Sequence, residues 1–348
     1  PDNYLVIDEY DSPSGEHARH LENPSNPISI PCCEVVKKDI PKTFAEALVH
    51  PLWGEAARKE WGTLGKTECL VQVPTNLARQ NIDLYGTQTL LLFPVYERKK
   101  DENGQPLLKV RLVCDGSKHI PGSETYAATP SREELLILIH LIATNDWEYY
   151  HVDESRAFLS SQRSDPKPIY AKLVGDHNYY AILRSLYGLR TSPHDYQKKT
   201  REVMSTMGYR ALPMCSCIYI KLYPDNPDMV SIVFAYVDDF IFTGTDHTQI
   251  KKDISKFRTI NTTTAPILNA TDVLGLHLVR HRKLKIITIT METKINKLMD
   301  LLVDTFNIQI KAKNTPMSPS NFIVSDEDFN KLPIESSALL NNPDDIKL

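Results

Sequence analysis

The sequence predicts an α+β fold, in which amphipathic helices alternate with antiparallel β-hairpins. Helical spacing is clearest over residues 43–66, where His50-Pro51 divides two helices. Strand-like runs within residues 88–114 flank the turn formers of residues 101–104, as in a β-hairpin. Because helices and hairpins alternate without strict β-α-β units, an α+β fold is favoured.

The remaining elements continue this alternation. Residues 1–39 are polar and dotted with prolines, which predicts a poorly ordered leader or a packed extension. The later pattern predicts helices over residues 131–145, 192–208, 246–258 and 292–304, and strands that start at residues 149 and 231 and cover residues 273–279 and 284–290.

Composition predicts a soluble intracellular enzyme with several subdomains. A chain of 348 residues can bury a large core. It has no apolar run of membrane-spanning length and no signal-peptide pattern, so we expect no membrane association. The six cysteines lack the spacing of a zinc site, and we expect them to be reduced.

The charge balance counts against a nucleic-acid partner. The chain has 40 Lys and Arg residues against 44 Asp and Glu residues, a net charge of −4, whereas nucleic-acid enzymes are usually basic. The acids are concentrated near the two termini, however. Basic clusters lie between them, and each is either a solvated face or part of a binding groove: Arg98-Lys99-Lys100, Lys109 with Arg111, Lys198-Lys199 with Arg201, and Arg280–Lys283 with Lys285.

An adjacent pair of acids, Asp238 and Asp239, stands out within Ser231–Gly244. Apolar, strand-prone runs on both sides predict a hairpin with the acids at its tip. Adjacent carboxylates repel each other unless a cation lies between them, and Mg²⁺ prefers such oxygen ligands. The alternative is a solvated turn in which the acids act only as turn formers.

A third acid, Asp153, ends the strand-like run Tyr149–Val152. Its simpler interpretation is an N-cap for the segment that follows. If the fold brings it to Asp238 and Asp239, the three carboxylates predict a centre for phosphoryl transfer with two divalent ions.

These residues carry a family resemblance. Tyr236–Asp239, together with His151–Asp153 and Ala157–Leu159, resembles the reverse transcriptase of copia-type (Pseudoviridae) long-terminal-repeat retrotransposons, part of a Gag-Pol polyprotein. Further blocks fall in that family's order, so the resemblance covers roughly residues 40 to 317: Ile40–Pro74, Lys109–Val113 with Gly116, Ser185–Pro193, Ser216–Lys221, Leu274–Leu278 and Thr315-Pro-Met317.

The resemblance implies a right-hand polymerase fold: a palm with an antiparallel sheet and packed helices, β-hairpin fingers and a partial thumb. Beyond residue 317 only a polar tail follows, so we expect no RNase H domain in this segment. The implied ranges are 1–39 for the N-terminal extension, 40–148 for the fingers and first helical block, 149–278 for the palm with its nucleotide-pocket block 185–193, 279–317 for the end of the palm and a partial thumb, and 318–348 for the tail.

The resemblance also implies the metal ligands. Asp153 and Asp238 would be shared by two Mg²⁺ ions, with Mn²⁺ as a substitute, and Asp239 would be the third acid. A backbone carbonyl beside Asp153, at Glu154 or at Val152, would be a further ligand. Glu154 stands where the family usually has valine, and its charge is expected to raise the pKa of a neighbouring acid.

Substrate-binding roles follow in the same way. Phe158 matches the aromatic residue that blocks a ribose 2′-hydroxyl; the alternative is a core phenylalanine. The nucleotide pocket would include Tyr187, Gly188 and Arg190. Either Lys109 or Arg111 would clamp the triphosphate. On the primer side, Tyr236 would pack under the terminal base pair, and Leu274-Gly275 would be the primer grip, where glycine permits a close backbone approach.

The implied activity is RNA-directed DNA polymerisation. Its partners would be an RNA template, a DNA or tRNA primer and dNTPs, with integrase and RNase H as polyprotein neighbours, in an oligomer or alone. The implied location is cytoplasmic, in a virus-like particle, with nuclear entry. Two alternatives stay open: a catalytically silent or domesticated nucleic-acid-binding module, and another palm-fold nucleotidyl enzyme such as a cyclase.

Overall fold

The computed structural model describes residues 4–5, 40–100, 106–292, 294–296 and 298–299. The strands are β1 (Tyr4–Leu5), β2 (Leu70–Val73), β3 (Gln88–Lys100), β4 (Pro106–Cys114), β5 (Tyr149–Asp153), β6 (Ile169–Leu173), β7 (Tyr179–Ile182), β8 (Arg210–Leu212), β9 (Cys215–Leu222), β10 (Val230–Tyr236), β11 (Asp239–Gly244), β12 (Ile267–Leu268), β13 (Asp272–Val273), β14 (Leu276–His281) and β15 (Ile286–Thr290). The helices are α1 (Phe44–Val49), α2 (Gly54–Lys66), α3 (Thr75–Tyr85), α4 (Arg132–Asn145), α5 (Ser192–Thr206) and α6 (His247–Ile260).

The predicted helices and hairpins are confirmed where they are described. The break at His50-Pro51 separates α1 from α2, and Thr43 caps α1 by accepting the Glu46 amide at 3.2 Å. Ser131 and Glu134 form a reciprocal capping box at the start of α4. Sequence analysis did not predict α3 or the strands β6 and β7. The turn over 101–104, most of 1–39 and all of 301–348 lie outside the described residues.

The first sheet has six strands in the order β1-β3-β6-β7-β2, with β4 paired to β3. The β3–β4 hairpin is antiparallel, and β3 pairs with β6 in parallel. The core of this region lies between the sheet and helices α1 and α2, and includes Phe44, Trp53, Leu64, Leu92 and Leu112.

The second sheet has the order β12-β5-β11-β10-β9-β8 and is antiparallel throughout. Its side chains alternate between two cores, as the period of two in a strand requires. Val233 and Phe242 pack with residues of α5 and α6, whereas Ile232 and Ile241 pack with residues of α4 and of the small β13-β14-β15 sheet. Both faces of this sheet are therefore covered, and its strand ends are where polar groups reach the surface.

The division of the strands between the two large sheets does not coincide with the predicted boundary between fingers and palm. Strands β6 and β7 belong to the first sheet, although they lie within the predicted palm range of 149–278. Helix α4, in the predicted fingers range, packs on the second sheet. The domain ranges stay predictions. Among the described helices, none combines the length and apolar character that a membrane span requires.

Candidate active site

The acid pair lies at the tip of the β10–β11 hairpin. Tyr236 pairs with Asp239, which leaves Val237 and Asp238 as a two-residue turn. Val237 has a φ of 54°, a left-handed conformation that costs a β-branched residue about 1–3 kcal/mol. This tight turn fixes where the Asp238 carboxylate projects.

The fold brings the third acid to the same turn. Asp153 lies directly opposite Asp239 in the antiparallel β5–β11 ladder, so both side chains leave the same face of the sheet. The amide of Glu154 donates to the Asp238 carbonyl at 2.7 Å and ties the end of β5 to the turn. The predicted convergence of Asp153, Asp238 and Asp239 is therefore present, while their chemical roles stay predictions.

The Asp238 carboxyl is in an unfavourable place for a negative charge. Partial desolvation of the carboxyl raises its pKa above the ordinary value although the residue is exposed, and the charges of Asp239 and Asp153 raise it further, with Arg111 opposing them. Asp239, in contrast, has a partner, because its Oδ1 lies 2.7 Å from His151 Nε2. Sequence analysis missed His151; its position two residues before Asp153, on the same strand face, was the available signal.

The carboxylates suit a hard divalent cation. Within the described residues, no three His, Cys, Asp or Glu side chains form a ready-made metal cluster. The fit rests on the donor chemistry at Asp153 and Asp238 and on the charge repulsion that raises the Asp238 pKa. Val152 and Glu154 are both buried. A ligand role for the backbone carbonyl of either residue stays a prediction.

Glu154 has polar partners of its own on helix α5. Its side chain is 2% exposed and is turned away from the Asp238 turn. Lys199 Nζ donates to it at 2.6 Å and the Tyr196 hydroxyl at 2.8 Å. Its charge is therefore matched within the fold, and the expectation that it raises the pKa of a neighbouring acid stays a prediction.

Phe158 lies between two aromatic rings in the 3-10 turn that follows β5. Tyr187 and Tyr196 both meet it edge to face at 5.9 Å. Phe158 and Val237 also line one cavity of about 170 Å³. The ring is half-buried rather than part of the closed core, an arrangement that a sugar-blocking residue requires.

The predicted nucleotide-pocket block is locked to the end of β4 by a backbone contact. The Cys114 amide donates to the Tyr187 carbonyl at 2.8 Å. Gly188 has a φ of 87°, and a Cβ at this position would lie 2.1 Å from the Cys114 carbonyl oxygen. Any larger residue here would push the two segments apart. The Arg190 amide donates to His119 Nδ1 at 3.1 Å, which holds the far side of the block.

Of the two candidate phosphate clamps, Arg111 is the one whose charge lowers the pKa of Asp238. Its guanidinium is 5.9 Å from the Tyr187 ring centre and 2.8 Å from Glu97 Oε2, and its charge acts on Asp238. Lys109 is exposed two residues earlier on the same strand. Which of the two contacts a triphosphate stays a prediction.

The predicted primer grip is a tight turn between β13 and β14. Leu274 and Gly275 have φ values of 50° and 77°, the left-handed pair of a two-residue hairpin turn. The end of the Lys294 side chain lies over Gly275, where a Cβ would be 2.3 Å from Nζ. Lys294 was missed by sequence analysis. Tyr236 is 39% exposed. It lies two residues after Phe234 on β10, so both face the side of the sheet that packs against this hairpin.

The basic clusters differ in how far their charges are paired within the fold. Arg280 and Arg282 form ion pairs with Asp146 and Glu148, so much of their charge is matched within the fold. A surface cavity beside α5 is lined by Tyr126, His194, Lys198 and Arg201 together with the acid Glu124, and a binding groove there stays a prediction.

An antiparallel sheet with acids at one hairpin turn is the arrangement expected of the palm in a right-hand polymerase fold. The chain belongs to the reverse transcriptase family: residues 86–319 match the family described as reverse transcriptase (RNA-dependent DNA polymerase).

The relatives agree with this assignment. The chain is 25% identical over 296 residues to the retrovirus-related Pol polyprotein from transposon TNT 1-94 of Nicotiana tabacum, and 23% identical over 294 residues to that from transposon RE1 of Arabidopsis thaliana. Each match covers 80% of this chain but only 21% and 19% of the polyprotein, so the chain spans about a fifth of these relatives. The resemblance to copia-type reverse transcriptases is confirmed.

Solved structures show a weaker likeness. Two structures of foamy viral protease-reverse transcriptase in complex with double-stranded DNA match 73% of this chain. Their TM-scores are 0.40 and 0.38, their sequence identities 16% and 15%, and the matches cover 39% and 47% of those chains.

Proposed function

We propose that this chain is the polymerase core of an RNA-directed DNA polymerase that extends a DNA or tRNA primer on an RNA template. The register that sets Asp153 opposite Asp239, next to Asp238, carries the proposal. Two distant parts of the chain bring three acids together at one exposed strand end, and the repulsion between them favours a bound cation.

Asp153 and Asp238 would hold two divalent ions, Mg²⁺ or Mn²⁺. Bound there, the ions would lower the pKa of the primer 3′-hydroxyl and neutralise charge on the leaving pyrophosphate. Asp239 would be the third acid, oriented by its contact with His151. The tight turn at Val237 would hold Asp238 in place before substrate arrives.

The nucleotide would lie between the first sheet and this turn. Arg111 would bind the triphosphate, because a guanidinium can contact two phosphate oxygens at once. Phe158 would exclude a ribose 2′-hydroxyl, and its half-buried position beside Tyr187 supports that role. Gly188 would let the pocket block approach the end of β4 closely.

The primer and template would approach from two sides. Tyr236 and the Leu274-Gly275 turn would contact the primer end, with Lys294 adding a positive charge. Lys198 and Arg201 would contact the template backbone along the groove on α5.

The test is primer extension on an RNA template with Mg²⁺ or Mn²⁺. We expect the wild type to extend with dNTPs, the Asp238→Asn variant to lose roughly a thousandfold or more in rate, and a chelator to abolish the wild-type reaction. Asp225→Asn is the matched control, because Asp225 is an exposed acid in the turn at the other end of β10. A wild-type chain that binds primer–template but extends it with neither ion would be the silent module instead.

A further inference from the structure

The Phe158 ring meets two tyrosine rings and lines a cavity. Tyr187 and Tyr196 contact it edge to face, each at 5.9 Å between ring centres. Its other surroundings include the cavity of about 170 Å³, which provides no packing atoms. A change in either tyrosine therefore acts directly on the placement of Phe158.

Tyr196 is itself anchored by a buried hydrogen bond. Its side chain is 3% exposed, and its hydroxyl donates to Glu154 Oε2 at 2.8 Å. Burial, followed by the charge of Glu154, raises the pKa of this hydroxyl well above its ordinary value, so it stays protonated and remains a donor. The hydrogen bond fixes the tilt of the ring that faces Phe158.

Lys199 completes the anchor. Its Nζ donates to Glu154 Oε1 at 2.6 Å and to the Ser160 hydroxyl at 2.7 Å, and it lies 5.7 Å from the centre of the Tyr196 ring. Ser160 belongs to the same 3-10 turn as Phe158. The network therefore holds Phe158 twice, through the Tyr196 ring and through the backbone turn.

We propose that Tyr196, Glu154 and Lys199 are positioning residues that set how strongly the site rejects a ribonucleotide. The inference rests on the proposed function, in which Phe158 blocks the 2′-hydroxyl. A shift of the ring by a fraction of an ångström would open space for that hydroxyl and leave the acids of the β10–β11 turn in place.

The experiment measures incorporation of one dNTP and of the matching rNTP on a primed RNA template. The discrimination ratio is kcat/KM for the dNTP divided by kcat/KM for the rNTP. We expect Tyr196→Phe, which keeps the ring and removes the hydroxyl, to lower this ratio by roughly fivefold to tenfold. The change should come mainly from a lower KM for the rNTP. The kcat for the dNTP should stay within about twofold of the wild type.

Tyr209→Phe is the matched control. Tyr209 is 2% exposed and donates to Asp253 at 2.7 Å, and Lys221 donates to the same carboxylate at 2.9 Å. It is the same kind of triad without contact to Phe158, so its loss should leave the ratio unchanged. Thermal unfolding of both variants separates a loss of fold from a loss of discrimination.

The outcomes are distinguishable from failure of the proposed function. Phe158→Val should itself lower the ratio; if it does and Tyr196→Phe does not, the inference is overturned while the polymerase assignment stands. An equal loss for both nucleotides in Tyr196→Phe would indicate a purely structural role and also overturn it. A wild type without dNTP incorporation would overturn both.

A second variant covers a Tyr196→Phe chain that does not fold. Glu154→Gln keeps an oxygen that accepts from Tyr196 but loses the charge that holds Lys199. Its ratio should fall by less than that of Tyr196→Phe, about twofold to threefold. An unchanged ratio in a folded Glu154→Gln chain would contradict the inference.

Discussion

Asp253 and Asp238 are both acids at or near the second sheet, yet their surroundings are opposite: Asp253 is buried, whereas Asp238 is exposed at a turn. Asp253 is 3% exposed and accepts hydrogen bonds from the Tyr209 hydroxyl at 2.7 Å, Lys221 Nζ at 2.9 Å and Gln249 Nε2 at 2.9 Å. Around Asp238, the nearest charges include the carboxylates of Asp239 and Asp153, which raise its pKa.

The difference separates acids that hold the fold from acids that need a ligand. A buried carboxylate with a cation and two further donors is satisfied by the chain itself. A carboxylate among other carboxylates destabilises the fold until a cation from solution binds there. By the same distinction Glu154, although next in sequence to Asp153, resembles Asp253, because its carboxylate is satisfied by Tyr196 and Lys199.

The largest expected effect on stability is at Asp253. We expect Asp253→Asn to lower the free energy of unfolding by about 3 kcal/mol, because Lys221 and Tyr209 lose a buried charged partner. Asp238→Asn should leave stability unchanged or raise it, because it removes repulsion. Urea unfolding of the two variants in metal-free buffer, beside the wild type, measures both values.

The comparison also predicts opposite effects on activity. The folded fraction of Asp253→Asn should keep its specific rate of primer extension, while Asp238→Asn loses it. If Asp238→Asn were destabilised as much as Asp253→Asn, Asp238 would support the fold, and the proposed distinction between the two acids would be wrong.

A smaller effect is expected where Lys199 meets Glu154. Lys199→Met should cost about 2 kcal/mol of unfolding free energy, because it leaves a buried carboxylate with only hydroxyl partners, although the lysine side chain is 19% exposed. The double variant Lys199→Met with Glu154→Gln should recover about half of that loss, since no unpaired charge remains. Thermal or urea unfolding of both variants checks this, and a double variant no more stable than the single one would show that the ion pair is not the cause.

The sequence is sufficient to predict the acids and most of the elements around them. Strand-prone runs on both sides of Asp238 and a strand that ends at Asp153 need only local patterns, and both strands are present in the structure. The turn at Leu274-Gly275 is predicted only in part by its glycine, because Leu274 also adopts a left-handed φ of 50°, which disfavours a residue with a side chain.

Side-chain pairing could not be predicted, because it depends on which way each residue faces. Lys198 and Lys199 are equivalent in sequence, yet neighbours on a helix point about 100° apart. Lys198 lines the surface groove, while Lys199 is drawn inward to Glu154. Arg282 shows the same limit: its charge suggests a binding surface, but it contacts both oxygens of Glu148.

The smallest predicted effect concerns His119, whose cationic form would be a partner for Asp165. The ring is fully buried, with Nε2 3.8 Å from the Asp165 carboxylate, and its Nδ1 accepts the Arg190 amide, so it is neutral. Burial lowers its pKa below the ordinary value, against the opposing pull of Asp165. Above the unfolded pKa of about 6.5 its contribution to stability is complete, and it declines as the pH falls through that value towards the lower folded pKa. The stability difference between the wild type and His119→Asn, from urea unfolding at pH 7.5 and 5.5, should therefore be smaller at pH 5.5. A stability difference that grows as the pH falls would mean that His119 and Asp165 form an ion pair. Asp165 would then be an acid satisfied by the fold, as Asp253 is.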